Sequence, residues 1–333
     1  MLITPSNINL FFTGVETRYN AAFTTAPVWY QQIADEIPCA TESMAFGWMG
    51  MLDTFRMWKG SRVVRQPAPQ TYVVTPDPFE LTQAVDQFKL KDDTYGIYNN
   101  IATNFGFQAA KWPDYQLRDL ILNLKDQTGA ARQNGTDLIS HWNTAHPIDF
   151  WDASKGTFCN DFRGTFTVGG TVVGGAFTVN GFNTLWQEFS ARKSESGEPL
   201  GIEPNLSMGP SQLKAAMMTV LQAKFIGMPQ INGLGSGSGA NGTMVGATEN
   251  VLTGWTDLLT NPDFNSAATT WFMLCTNRAQ KPFSFVMRER PDYVARTASD
   301  DPVVFDTHTY QFGSMARGAP AWSLPWLSAI SSP

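Results

Sequence analysis

Four prolines, at positions 67, 69, 76 and 78, fall inside the strand-like stretch "VVRQPAPQTYVVTPDPFELTQAVDQFKL", residues 63–90, and constrain the fold more than any other feature. Proline has no N–H to give to a ladder and fixes its own φ, so a segment this rich in it cannot lie at the centre of a sheet. The pattern predicts an edge ribbon or a projecting hairpin. Within it Phe79, Leu81 and Val85 share one face of an extended chain, with Gln83 interrupting; the phase then slips and Phe88 and Leu90 carry the apolar character. Asp92 and Asp93 follow at once. They read as N-cap and first-turn residues of a helix, ahead of the stripe Tyr95, Ile97, Tyr98 and Ile101. A strand therefore runs into a helix without a loop, and capping is preferred over an acid–base role for the two carboxylates.

That helix extends from Thr94 to Trp112, where Pro113 bends or splits it, and "DYQLRDLILNLKDQTG" continues it to Gly129 as one long, kinked spine. Two short helical pieces are expected near the start, around residues 7–13 and 29–37, the second with Trp29, Ile33 and Ile37 on a narrow stripe. Residues 211–226 read as an amphipathic helix with Leu213, Met217, Val220 and Leu221 on one face. The glycine-punctuated "RGTFTVGGTVVGGAFTVNGF" is hairpin material, "NGLGSGSGANGTMVG" is a flexible low-complexity tract, and the last sixty or so residues alternate strand-like runs with turns.

Composition excludes several classes. At 333 residues, 43% apolar and 16% charged, the chain is folded and rich in turns. Its net charge of −6, without a basic run, argues against specific duplex binding, which needs clustered Lys and Arg. The three cysteines, Cys39, Cys159 and Cys275, show no metal spacing and are expected as reduced thiols of a cytoplasmic product. The first residues lack the marks of a signal peptide, and no stretch has the length of a membrane span.

The search for chemistry finds little. His141 and His146, five residues apart in "SHWNTAHP", share neither a helical nor a strand face and read as part of a polar loop rather than a metal site; His308 stands alone. "GSGSG" has glycine where a nucleophile elbow needs serine and lacks the Lys of a phosphate loop. Neither a catalytic centre nor a cofactor or metal is expected. The eleven tryptophans remain. Trp112, Trp255 and Trp271 are assigned to core, whereas Trp48, Trp58, Trp322 and Trp326, in the projecting segment and the tail, are assigned to contacts between subunits together with Arg62.

Five stretches in order, "PSNINLFFTG", "FGWMG" with "MWKGSRVV", "FELTQAVDQFKLKDDTYGIY", "GEPLGIEPNLSMGPSQLKAA" and "WFMLCTNRAQKPFSFVMRERPDYVA", give the chain its resemblance to the major head (capsid) subunit family of Mu-like phages, and through it to the Hong Kong 97 (HK97-like) capsid fold. The resemblance implies an α+β chain with an N-terminal arm (1–42), an extended E-loop hairpin (43–91), a first P-domain part on the spine helix (92–200), an A-domain (201–275) and returning P-domain strands with the tail (276–333). It further implies a non-enzymatic subunit that self-assembles, through pentameric and hexameric capsomers, into the icosahedral head around phage double-stranded DNA. Scaffolding, portal and decoration proteins are the other partners implied, contact with DNA is weak and non-specific, and no membrane is involved. The location implied is the virion capsid, after synthesis and assembly in the host cytoplasm. The other reading weighed is a β-rich tail or receptor-binding module, for which the repeats of a fibre shaft are missing.

Overall fold

The computed structural model describes residues 4–47, 60, 71–92, 97–122, 134, 135, 137, 139–149, 152–164, 166–168, 170–227, 247–298 and 301–333. In chain order the first elements are α1 (Pro5–Thr25), α2 (Tyr30–Ile33), β1 (Ala34–Pro38), β2 (Met44–Gly47), β3 (Thr71–Val74), β4 (Asp77–Asp86), α3 (Gln87–Lys91) and α4 (Ile97–Ile121). The middle holds β5 (His146–Pro147), β6 (Thr157–Phe158), β7 (Asp161–Arg163), β8 (Phe166–Val168), β9 (Thr171–Val173), α5 (Val179–Ser190), β10 (Leu206–Pro210), α6 (Lys214–Leu221), β11 (Phe225–Gly227), β12 (Ala247–Glu249), β13 (Asp257–Asn261) and β14 (Trp271–Leu274). The chain closes with β15 (Phe283–Arg296), α7 (Pro302–Thr307), β16 (Thr309–Trp322) and β17 (Ser328–Ser332).

These elements gather into two compact units. The first comprises residues 1–46, 71–132 and 283–321; the second comprises 47–70, 133–282 and 322–333. In this division residues 133–200 cluster with the 201–275 stretch, and the tail from Trp322 joins them.

Unit one is a four-stranded sheet in the order β1-β15-β16-β4 with helices α1 and α4 against it. Helix α1 opens with Thr4, whose side chain accepts from the Asn7 N–H, and with Pro5 in the first turn, where its missing donor costs nothing. Ile8, Phe12, Val15 and Tyr19 recur at helical spacing and bury against Ala102, Phe105 and Ala109 of α4 and Tyr310 and Phe312 of β16. The two helices cross closely because residue 106 is glycine: a Cβ there would lie 2.5 Å from the Tyr19 carbonyl oxygen. The first expected helical piece is therefore a longer, 21-residue core helix. Of the second expected helix only one turn forms; residues 34–38 leave it as β1, parallel to the start of β15.

The proline-rich reading of β4 holds. The strand lies at the sheet edge, Pro78 within it, and passes directly into α3. Phe79, Leu81, Gln83 and Val85 do share a face, opposite Ala316, Ser314, Phe312 and Tyr310 of the antiparallel β16. The pairing runs through all ten residues of β4 within the same chain. Its apolar phase slips because the backbone turns helical at Gln87. Helix α4 runs through Pro113 without a break to Ile121, so the spine is not split there.

Unit two is a five-stranded sheet, β13-β10-β14-β17-β7. β10 and β14 are buried at every position, as expected of strands covered on both faces. One side carries α5 through Phe182, Leu185 and Phe189 and α6 through Met217, Val220 and Leu221. The helix expected at 211–226 is thus present but shorter, and Phe225 belongs to β11. The glycine-rich hairpin forms as β8 and β9. "TVNGF", expected as a further turn, is instead the first turn of α5: Thr178 caps it, and Gly181 passes so near the chain that a Cβ would sit 2.4 Å from the Ala176 carbonyl oxygen.

Candidate functional site

Each unit packs a dense core yet leaves large apolar side chains at its surface, and several of them lie in three places. Along the edge of unit one, a groove of about 440 Å³ runs between α4 and the face of β4 and β16, floored by Phe79, Leu81, Ala109, Trp112 and Ala316 and rimmed by Glu80, Gln108, Arg118 and Asp119. Trp112 packs edge-on to Phe285 and tilted on Phe79, and its buried Nε1 has no described acceptor. Because residues 80–84 of β4 are exposed on both faces, this edge is an unprotected sheet margin.

The second place is the end of the same unit where α3 and α7 meet. The Gln87 N–H donates to the His308 carbonyl oxygen at 3.0 Å, and His308 takes a left-handed conformation (φ 51°) to turn the chain from α7 into β16. Leu90 and Val304 point inward; Phe88 and Phe305 point out, 57% and 74% exposed, with the His308 ring edge-on to Phe88. The third place is in unit two, where Asn250 ties the end of α6 to the turn after β12 by donating to the Val220 and Ala223 carbonyls. Around it Met218, Phe225, Val251 and Trp255 are exposed. Exposed apolar groups clustered in this way mark surfaces that meet another molecule.

The expected site residues fare unevenly. Trp48, Trp58, Arg62 and Asp93 lie outside the described residues. Trp322 and Trp326, expected between subunits, are instead core of unit two: Trp322 is fully buried, its ring stacked on His141 at 4.0 Å, and Trp326 is 7% exposed. Position in the tail misled here, because β17 inserts between β14 and β7 and carries the tail into the sheet. Trp255, expected in the core, is 39% exposed beside Trp186, while Trp271 is core as expected. Asp92 closes the C-terminus of α3, its N–H donating to the Phe88 carbonyl. The N-cap nearby is Asp86, whose carboxylate accepts from the Phe88 and Lys89 N–H groups at 2.7 and 3.1 Å.

Chemistry is sparse. Among the described residues no group of three His, Cys, Asp or Glu is placed to hold a metal, and no helix is long and apolar enough to cross a membrane. Cys39, Cys159 and Cys275 are free thiols; burial pushes Cys159 up to about 12 and raises Cys275, which keeps both protonated and unreactive. His141 and His146 are fully buried and hydrogen-bonded. Arg192 is buried too, donating to the carbonyls of Trp326, Ser328 and Cys159 with its guanidinium 4.1 Å from the Phe189 ring centre. No signal short of the fold itself marks these polar groups as interior.

The model of the Mu-like prophage major head subunit gpT matches residues 8–169 and 250–332, which takes in much of both units. The major capsid protein of Escherichia phage Mu is 31% identical over 147 residues, 44% of this chain and 47% of that protein, so the chain spans about half the length of the curated relative it matches. Among solved structures, the procapsid of bacteriophage JBD30 superimposes with a TM-score of 0.55 at 21% identity, covering 99% of this chain and 76% of that one. The capsid of the same phage gives 0.52 at 19%, covering 80% and 100%, and the virus-like particle of Pyrococcus furiosus gives 0.51 at 10%, covering 97% and 99%. The fold is the HK97-like capsid fold, and the chain belongs to the Mu-like prophage major head subunit family.

Proposed function

We propose that this chain is a major capsid protein, many copies of which close into an icosahedral head around phage double-stranded DNA. The observation that carries the reading is the pair of units, each with a core of its own and each with large apolar side chains at its surface: the half-buried Phe79 and exposed Leu81 at the groove, Phe88 and Phe305 at the end of unit one, and Phe225, Val251 and Trp255 on unit two. A subunit that stayed alone would have no use for them. In this reading unit one, with its spine helix and long strands, is the P-domain and unit two the A-domain. Net charge −6 suits a shell that holds DNA without gripping it. Scaffolding, portal and decoration proteins are the partners such a head calls for, and the role is structural.

Sedimentation and negative-stain microscopy of the purified full chain test this, with closed shells or five- and six-membered rings expected. Discrete trimeric spikes would favour the tail-module reading, and a monomer at every concentration would refute both. The double substitution Phe305→Glu with Phe88→Glu places charge only on exposed positions. It is expected to abolish assembly while melting within about 1 kcal/mol of the parent, since surface changes rarely exceed about 0.5 kcal/mol each.

A further inference from the structure

Residues 139–149 carry two histidines into the interior of unit two, and their surroundings differ. His146 Nδ1 lies 2.5 Å from Asp137 Oδ2, while its Nε2 lies 2.9 Å from the His141 carbonyl oxygen and 3.2 Å from Asn160 Oδ1. The Asn160 amide is oriented by its own bonds: Nδ2 donates to the His141 and Pro325 carbonyls, and Oδ1 accepts from the Asn143 N–H. With Asp137 ionised, both nitrogens of His146 face oxygens that only accept, and only an imidazolium donates at both. With Asp137 2% exposed and His146 at 0%, an ionised carboxylate there also needs a cationic partner.

His141 meets the opposite environment. Its Nε2 is 3.0 Å from Ser328 Oγ, its ring lies flat on Trp322 at 4.0 Å, and Trp142 abuts it edge-on at 4.8 Å. The charged groups that act on it are His146, from its own segment, and Arg192, which follows α5; both oppose a positive charge. Burial, and after it these two cations, hold His141 well below the ordinary imidazole value.

We infer that the two histidines form a proton-state clamp, a cationic His146 against Asp137 and a neutral His141 against Ser328 and Trp322, which fastens residues 139–149 to the C-terminal stretch 322–332 and loosens when acid charges His141. The sign follows from linkage. The folded chain disfavours charged His141, so as pH falls the unfolded chain takes up that proton first. This contribution to stability is whole above about pH 6.5 and is lost below it, by at most about tenfold in the folded-to-unfolded ratio per pH unit for one proton.

The chain has only three histidines, which makes the clamp directly observable. With His308→Gln removing the exposed one, the full chain labelled with ¹⁵N at histidine, as subunit or as assembled particle, should show at pH 7.5 one ring protonated on both nitrogens and one protonated on a single nitrogen. Two neutral rings, or two doubly protonated ones, would overturn the inference. Melting temperature against pH gives the second readout. It should fall between pH 7 and pH 5 in the His308→Gln chain, and adding His141→Phe, which keeps the stack on Trp322 and cannot take a proton, should flatten that fall. An equally steep fall in both chains would remove His141 as the acid trigger, and if the Phe variant does not fold, the nitrogen spectra of the His308→Gln chain at pH 5 decide the same point by whether the second ring has gained its proton.

Discussion

Unit one and unit two bury their sheets to different degrees. In unit one the helices stand against one face, β4 is exposed on both sides over residues 80–84, and the outer half of β15 alternates half-buried and exposed positions out to Arg296. In unit two β10 and β14 are buried throughout, and even the last strand of the chain is buried at four of its five positions. Charge divides in the same way. Unit one holds 11 Lys and Arg against 17 Asp and Glu, and unit two 12 of each, so all six net negative charges belong to the more open unit. Polar interiors show the reverse: the only charged side chain buried in unit one among the described residues is Asp114, whereas unit two encloses Asp137, Asp149, Arg192 and two histidines. The open unit keeps its charges in water and offers surface; the closed unit ties its polar groups into its core and offers rigidity.

The difference can be broken most severely at Trp322. Truncation to Ala empties a fully buried site between His141 and Trp142 and is expected to cost about 3–5 kcal/mol in thermal or denaturant unfolding. Trp255→Ala, on the exposed surface of the same unit, should cost well under half of that. Equal losses would mean that the two tryptophans share one environment and that the closed-core description of the tail is wrong.

A smaller effect is expected at Asp114 in unit one. This fully buried carboxylate reaches from the spine helix to the start of α2, accepting from the Trp29 and Tyr30 N–H groups at 2.8–3.3 Å. Hydrogen bonds to a charged group are worth about 1.5–3 kcal/mol, so Asp114→Ala should destabilise by that order, and Asp114→Asn by less. An unchanged denaturant midpoint in both variants would show that α2 stands without its tertiary cap.

The smallest effect separates two aspartates six residues apart. Asp86→Ala removes the N-cap of α3 and should cost about 1 kcal/mol, while Asp92→Ala, at the other end of that helix and exposed, should stay within about 0.5 kcal/mol. A larger loss at Asp92, read from the same unfolding curves, would show that its carboxylate caps the helix that follows.

Much of unit one was legible because its signals are local. Prolines placed β4 at an edge, the period-two pattern placed Phe79, Leu81 and Val85 on one face, and the long apolar period announced α4. The ends of these elements were less legible, since Asp86 and Asp92 are chemically alike and only the backbone tells which one begins a helix. In unit two the candidate surfaces were misassigned where burial depends on partners far along the chain. Trp322 and Trp255 look the same in a sequence; β17 seating between β14 and β7 hides one, and the turn pinned by Asn250 exposes the other.

The residues alone determined the mixture of helix and strand, the edge position of the proline-rich ribbon, the absence of clustered basic charge and the family likeness, because each rests on composition, spacing or order within a short window. Tertiary structure alone decided which tryptophans are core, that the N-terminal helix packs on the spine through Gly106, and that two histidines of a polar stretch sit in the dry interior against Asp137 and Ser328. Burial is a property of what a side chain meets, and those meetings span up to 187 residues of chain in the case of His141 and Ser328.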